Sequence, residues 1–292
     1  MLLLDLGLNA VATGLLLGSI YALLSLGLAI TFGILHVPNI AHPALVVVGA
    51  YAVAALNAHA IDPILASIPA AALFYGAGLV FYEFYFRVFE RRGGADTLQS
   101  LTLFFGVALV IEIGLLVGFG ADPKSVDVGY VGRSLTIGLL TLPYRLLVPA
   151  LFGPLVLLLL WLYLTRSHSG LAIRAVAHGE TALGIVGLAP RRVKRHAFGI
   201  ATASAAFGGA ALVILGPVGP FSGHLQIGRV FAVVVLAGMG SIPGTLVAGF
   251  VIGIAESLVT SFLNPSWSPG VAFAILLATL ALRPTGLFGA PR

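Results

Sequence analysis

Two histidines, an asparagine and two prolines fall within eight residues: His36, Pro38, Asn39, His42 and Pro43, at the head of the stretch HVPNIAHPALVVVGAY, residues 36–51. Three chemistries would use such a cluster: a metal site, a catalytic site, or a helix broken inside a membrane. A metal needs converging ligands. His36 and His42 are six apart, on opposite faces of a helix, which fails the i,i+4 spacing of a helical metal pair. No third ligand clusters with them in the sequence. Cysteine is absent, which removes disulfides, thiolate ligands and cysteine nucleophiles. Ser, His and Asp form no recognisable nucleophile motif, and G-x-S-x-G does not occur. The broken helix fits best. Pro38 and Pro43 each lack a backbone N–H and forbid a continuous helix. Non-helical backbone at membrane depth persists only where it is buried in protein or lines water. A helix starting near Pro43 would offer free N–H groups and a positive dipole end, which suit a carboxylate. Asn39, His42 and Pro43 are therefore candidates for a solute path. The alternative for His42 is a structural hydrogen bond to a carbonyl freed by the break.

A second break has the same character. Residues 216–224, GPVGPFSGH, separate two apolar runs, and Pro220 and His224 are four apart, as Pro38 and His42 are. Transporters built from inverted repeats place broken helices in this way, so residues 15–57 and 197–240 are expected to be related by a two-fold axis in the membrane plane. His224 joins the candidate path on that ground. Carboxylates inside apolar segments are costly and are functional candidates. Glu112 sits near the middle of one such segment and Glu256 inside another. For each the alternative is a protonated or hydrogen-bonded packing group, and for Glu256 that alternative is preferred. Glu83 lies one turn before Arg87, which predicts an i,i+4 pair at a membrane face.

The elements that position these residues follow from composition. Of 292 residues, 59% are hydrophobic and 9% charged, against roughly 25% charged in soluble domains. Apolar runs of about 20 residues recur, the length that spans a hydrocarbon core. The fold class is all-α: a polytopic helical membrane protein in the lipid bilayer, a single domain over residues 1–292. Apolar segments are predicted at 8–33, 42–57, 64–86, 99–120, 145–165, 197–216, 225–240, 242–263 and 271–282, with broken or short helices near 34–43 and 217–240. The segment at 225–240 spans roughly 24 Å as a helix, short for a crossing, so eight full spans is the alternative to nine. The first run lacks the basic flank of a cleaved signal and is read as a retained helix. Arg87, Arg91 and Arg92, the basic cluster of 166–196, and Arg283 and Arg292 all fall on one side of nine crossings. The positive-inside rule makes that side the cytoplasm, with the N-terminus outside and the C-terminus inside. The net charge of +5 is explained by this bias, and no nucleic acid is expected.

The segment RSHSGLAIRAVAHGETALGIVGLAPRRVKRH, residues 166–196, is the largest cytoplasmic piece. Ser169 is placed to cap a helix starting near Gly170. Leu171, Ala175, Val176, Leu183 and Val186 form an apolar stripe, and Gly179 splits it into two short helices. Such a segment either lies on the lipid as an amphipathic loop or docks a cytoplasmic partner. It resembles the coupling loop of ABC importer permeases. Thr181-Ala182-Leu183 and Gly187 match the central Ala and the Gly of that loop's pattern. The runs Gly18-Ser19-Ile20-Tyr21-Ala22-Leu23, Gly170-Leu171-Ala172-Ile173-Arg174-Ala175-Val176-Ala177, Gly238-Met239-Gly240-Ser241-Ile242-Pro243-Gly244 and Arg283-Pro284-Thr285-Gly286-Leu287-Phe288-Gly289 extend the resemblance. Together they resemble signatures of LivH-type branched-chain amino-acid ABC transporter permeases, over about residues 13–289.

That resemblance implies a permease in the bacterial inner membrane, paired with a LivM-like permease. Two cytoplasmic ATPase subunits and a periplasmic substrate-binding protein would complete an importer for branched-chain or related amino acids. The chain is then not an enzyme by itself. It has no G-x-x-x-x-G-K-[ST] phosphate loop, so ATP would be bound by the partners and no cofactor by this chain. Arg174, Ala182, Gly187 and Leu188 are the residues it implies for ATPase coupling. Two departures bear on substrate. Pro43 and Ala44 replace the family's Gly and Glu after Asn39-Ile40-Ala41-His42, and Glu112 stands where the family usually has Gln, facing a basic group on the solute in one reading. An ion-coupled secondary transporter using Glu112 and Glu256 as a relay is the alternative function, and an intramembrane enzyme using His36 or His42 is a third. Residues 121–144, outside the membrane, either dock the binding protein or simply connect two spans.

Overall fold

The computed structural model describes all residues except 1, 91–96, 139, 178, 180–183, 185, 186 and 290–292. Among the described residues are ten α-helices and one two-stranded antiparallel ribbon. In chain order these are α1 (Leu2–Gly33), α2 (His42–Asn57), α3 (Pro63–Val88), α4 (Thr97–Phe119), β1 (Ser134–Ile137), β2 (Leu140–Pro143) and α5 (Tyr144–Arg166). Then follow α6 (His168–Val176), α7 (Pro190–Leu215), α8 (Ser222–Ala237), α9 (Ile242–Phe262) and α10 (Ser268–Leu282). Seven helical stretches are long and apolar enough to cross a membrane. α2 and α8 are apolar but only 16 residues each, roughly 24 Å and short of the roughly 30 Å core.

The nine apolar segments read from the sequence correspond to α1–α5 and α7–α10. α2 has the predicted bounds. α8 lies three residues earlier than predicted, because Gly238 and Gly240 take φ of 88° and leave the helix. The final segment gains a turn of 3-10 helix at Pro265–Trp267, which lengthens its candidate span to 18 residues. The ribbon was not expected; Ser134 pairs with Pro143 and Ile137 with Leu140.

α1 and α7 form the centre, each with 78% of its most apolar window buried, whereas α4, α5 and α10 are peripheral. α1 packs most heavily on α9. There Gly14 and Gly18 face Gly249, Gly253 and Ile254, and a Cβ on Gly18 would lie 2.5 Å from the Gly249 carbonyl oxygen. Small residues four apart on both helices let the backbones touch, the usual basis of close helix pairing in lipid. α7 packs most heavily on α3. α1 and α7 cross antiparallel, Gly27 against Ala201 and Leu24 against Gly208. The units α1–α3 and α7–α9 therefore run in opposite directions, and the first helix of each packs on the third of the other. Such an exchange is what an inverted repeat requires.

One end of the bundle is closed by charge. Arg87 Nε donates to Glu83 Oε1 at 2.9 Å, the i,i+4 pair expected, and Arg191 on α7 joins the same carboxylate. Lys194 pairs with Glu90, which also accepts from Tyr82 Oη at 2.7 Å. Elsewhere, the two glycine-rich stretches of 238–244 and 283–289 meet. Leu287 N–H and Phe288 N–H donate to the Leu236 and Ala237 carbonyls at 2.8 and 3.1 Å, satisfying carbonyls at the end of α8. Gly286 (φ 75°) requires its lack of a side chain, since a Cβ would approach Gly238 Cα to 2.5 Å.

Candidate functional site

Both breaks form where the prolines place them. After Gly33 the chain turns back along α1, with Val37 N–H donating to the Thr31 carbonyl at 2.9 Å. His36 takes a left-handed φ of 57°, and Pro43 occupies the first turn of α2. No side chain caps α2 at Ala41, and none caps α8 at Phe221. The two uncapped starts meet. A Cβ on Gly223 would lie 3.3 Å from Ala44 N and Cα and 3.4 Å from the Pro43 carbonyl carbon. The sequence placed His224 in the second break, but it lies in the first turn of α8, as His42 begins α2.

Glu112 comes to this junction from α4. Its side chain is 2% exposed, and Oε2 lies 2.8 Å from His224 Nε2, whose side chain is 45% exposed. The two atoms are at ion-pair distance without the alignment of a hydrogen bond. Two residues reached separately by sequence reasoning are thus partners. Substitution separates the roles of the pair. Glu112→Gln keeps the shape and a polar partner for His224, whereas His224→Leu leaves the buried carboxyl group without one. His224→Leu is expected to lower the thermal unfolding midpoint in detergent more than Glu112→Gln does; the reverse order would mean that the contact with His224 does not stabilise the fold.

His42 and Asn39 lie in the core, each 1% exposed. His42 Nε2–H donates to the Leu24 carbonyl at 3.1 Å, and its Nδ1 is buried without a partner. Leu24 is in the interior of α1, so the acceptor is not a carbonyl freed by the break. Asn39 Oδ1 is likewise buried and unpartnered. Pro43 is buried beside the Gly223 contact. Asn39, His42 and Pro43 thus share one segment, and the Ala44–Gly223 contact joins it to the Glu112–His224 pair.

Glu256 has a fuller set of partners. It is 1% exposed, accepts from Tyr21 Oη at 2.7 Å, and accepts from Arg229 Nε at 2.9 and 3.1 Å. It ties α1, α8 and α9 together as a packing group, the reading preferred from the sequence. Arg229 and Tyr21 were not anticipated as its partners, because no spacing along the chain connects them.

Beyond α5, α6 is capped by Ser167, whose Oγ accepts from Gly170 N–H at 2.9 Å. The expected cap, Ser169, lies inside the helix. Of the expected stripe, Val176 lies on the buried face of α6 together with Gly170 and Ile173, whereas Leu171 is exposed. A groove of about 720 Å³ runs between α6 and the start of α7, lined by His168, Leu171, Ala175, Leu188, Arg192 and His196. Arg174 is exposed on α6. Leu188 is 43% exposed and follows Gly187, whose φ of 75° favours glycine. Ala182 lies outside the described residues, as does most of the second short helix expected there. Beneath the groove, His196 Nδ1 contacts Tyr75 Oη at 2.5 Å and Nε2 contacts Tyr163 Oη at 2.7 Å, linking α7 to α3 and α5. A neutral ring donates through one nitrogen and accepts through the other, so the two hydroxyls play opposite roles. The loop between α4 and the ribbon is joined to the second break by the bridge between Lys124 and Val218.

No three His, Asp or Glu side chains cluster as metal ligands among the described residues. Residues 10–280 match the family described as branched-chain amino acid transport system / permease component. Over 298 residues the chain is 30% identical to the high-affinity branched-chain amino acid transport system permease protein LivH of Escherichia coli K12, covering 95% of this chain and 94% of that protein. It is 29% identical over 302 residues to the probable branched-chain amino acid transport permease protein LivH of Methanocaldococcus jannaschii, covering 99% and 95%. It is also 28% identical over 294 residues to the high-affinity branched-chain amino acid transport system permease protein LivM of Escherichia coli K12, covering 92% and 67%.

Proposed function

The chain belongs to the branched-chain amino acid transport permease family, and from that premise we propose that it is a membrane-spanning subunit of an ATP-driven importer. Its solute is a branched-chain or related amino acid, its partner a LivM-like permease, and its motor two ATPase subunits on the cytoplasmic face. A binding protein outside the membrane delivers the solute. The basic clusters after α3 and around α6–α7 support a cytoplasmic position for α6 under the positive-inside rule.

The observation that carries this reading is the meeting of the α2 and α8 starts at Ala44 and Gly223, beside Glu112 and His224. Two helix N-termini aimed at one place favour a carboxylate. The buried Glu112 offers a counter-charge to an ammonium group. A zwitterion meets both needs at one junction. Asn39, His42 and Pro43 supply the wall of the path, and the antiparallel units around them rock about this point. Closure of the ATPases presses on the groove formed by α6 and Leu188. The force enters α7 and α5 through their contacts with α6 and through His196 between Tyr75 and Tyr163.

Co-expression with the cognate ATPases tests the coupling half of this reading. Gly187→Arg and Leu188→Glu place charge and bulk on the exposed rim of the groove. The ATPase chains are expected to co-purify with the parent chain and to be lost from both variants, with ATP-dependent uptake falling to background and the permease still folded. Unchanged uptake in these variants, or uptake without ATP, would overturn it.

A further inference from the structure

Residues 120–133, between α4 and the ribbon, lie at the opposite end of α5 from α6. With α6 in the cytoplasm, this segment faces outward. It is folded onto the protein: Val126 is buried, and Val128 and Val131 pack on the core. Asp122, Ser125, Asp127 and Gly129 are exposed. Gly120 leaves α4 at a left-handed φ of 82° with open space around it, a turn that glycine makes without strain.

The attachments of this segment are unequal. Lys124 N–H donates to the Val218 carbonyl at 2.9 Å, and Val218 N–H donates back to the Lys124 carbonyl at 2.8 Å. This reciprocal pair fixes the segment to the second break. Between Val218 and Gly223 the chain makes a closed turn. Gly219 N–H donates to Ser222 Oγ at 2.9 Å, and Ser222 N–H donates to the Gly219 carbonyl at 3.1 Å. Pro220 stiffens the same turn. A displacement of Lys124 is therefore passed to Gly223, where α8 meets Ala44 at the start of α2. α4 itself is held to α8 by the contact of Glu112 with His224. The link to α2 is slighter. Asp127 N–H donates to Oδ1 of Asn57, the last residue of α2, at 3.1 Å, a single hydrogen bond open to water. The Tyr51 ring of α2 meets Phe119 of α4 edge-on, with centroids 5.2 Å apart, a contact that can slide.

We propose that residues 120–133 are a strap that transmits docking of the external binding protein to the solute junction. Engaged from outside, the strap parts from Asn57 and carries Val218, and with it the start of α8, away from the start of α2. This role rests on the reading of the α2–α8 contact as the solute path.

Two cysteine pairs in the assembled importer test it, since the chain has no cysteine of its own. Asn57→Cys with Asp127→Cys ties the strap to α2. Lys124→Cys with Val218→Cys ties it to the second break, where a reciprocally bonded antiparallel pair places Cα atoms roughly 5.5 Å apart, a separation that disulfides span. The extent of cross-linking is read on the purified chain first, and a short bis-maleimide joins either pair that does not oxidise. ATP-driven uptake is then measured with the cognate binding protein. Uptake is expected to fall to background in the 57–127 bridge, with the binding protein still retained in a pull-down, and to return when the disulfide is reduced. The 124–218 bridge should stay near the parent level, because those residues move together. Parent-rate uptake in the 57–127 bridge, equal loss in both bridges, or loss of binding-protein retention would each overturn the strap. If the 57–127 bridge transports while Ala44→Cys bridged to Gly223→Cys does not, the strap fails and the path stands; if both transport, the path fails as well.

Discussion

Replacing Arg229 by leucine is expected to destabilise the chain by about 3–5 kcal/mol, the largest stability effect of any single substitution considered. The reason is the position of Glu256. Its carboxylate is 2% exposed and holds Arg229 through two contacts to Nε, at 2.9 and 3.1 Å, while Tyr21 Oη donates to it at 2.7 Å. The guanidinium also lies 5.4 Å from the centre of the Tyr21 ring, within the range of a cation–π contact. Taking away the cation leaves a carboxylate with neither water nor a counter-charge. Removing both members removes that penalty, and buried pairs replaced by apolar residues are often no less stable than before. Arg229→Leu with Glu256→Leu should therefore be more stable than Arg229→Leu alone, short of the parent by about one hydrogen bond from Tyr21. Equilibrium unfolding in mixed micelles reads all three. If the single and double variants lose the same amount, the pair is not coupled and the role assigned to Glu256 is wrong.

The second large effect concerns transport. The account makes the contact between the starts of α2 and α8 a moving part: solute passes where Pro43–Ala44 faces Gly223, and the two antiparallel units must shift there for it to do so. A covalent bridge at this point should abolish uptake while leaving the fold intact, because it joins residues that already touch. The chain contains no cysteine, so a cysteine pair placed there is free of competing thiols within this subunit.

Much of this junction was legible in the sequence because proline acts locally. Pro38 and Pro43 forbid helix where they stand, and α2 begins at His42 as expected. Gly238 and Gly240 likewise end α8, although the apolar run continues through Met239 and the expectation ran three residues too far. Pairings across the fold were not legible. Glu112 was recognised by its depth in an apolar run and His224 by its match to His42, yet their meeting depends on how α4 is rotated against α8. A helix of uniformly apolar residues carries no periodic signal of its rotation. The Tyr75–His196–Tyr163 link joins residues far apart in sequence and was invisible for the same reason. α6 shows a subtler failure. Leu171, Ala175 and Val176 look like its buried face, but Gly170 lets the helix press against Tyr163 and Leu164, where any side chain would clash, and that turns Ile173 inward beside Val176 and leaves Leu171 exposed. The ribbon had a signal that was passed over: Ser134-Leu135-Thr136-Ile137 and Leu140-Thr141-Leu142 alternate polar and apolar residues about Gly138, the pattern of a hairpin.

The most direct test of the central claim is ATP-driven uptake by the assembled importer carrying Ala44→Cys and Gly223→Cys, measured oxidised and then reduced. The two positions are adjacent, a Cβ at Gly223 standing 3.3 Å from Ala44 Cα, and the extent of cross-linking is read on the purified chain before uptake is measured. The account predicts that the oxidised importer still binds its ATPases but carries no solute, that reductant restores uptake, and that either cysteine alone leaves uptake near the parent level. Transport at the parent rate by the fully cross-linked protein would contradict it, because the solute would then be crossing the membrane somewhere other than between the starts of α2 and α8.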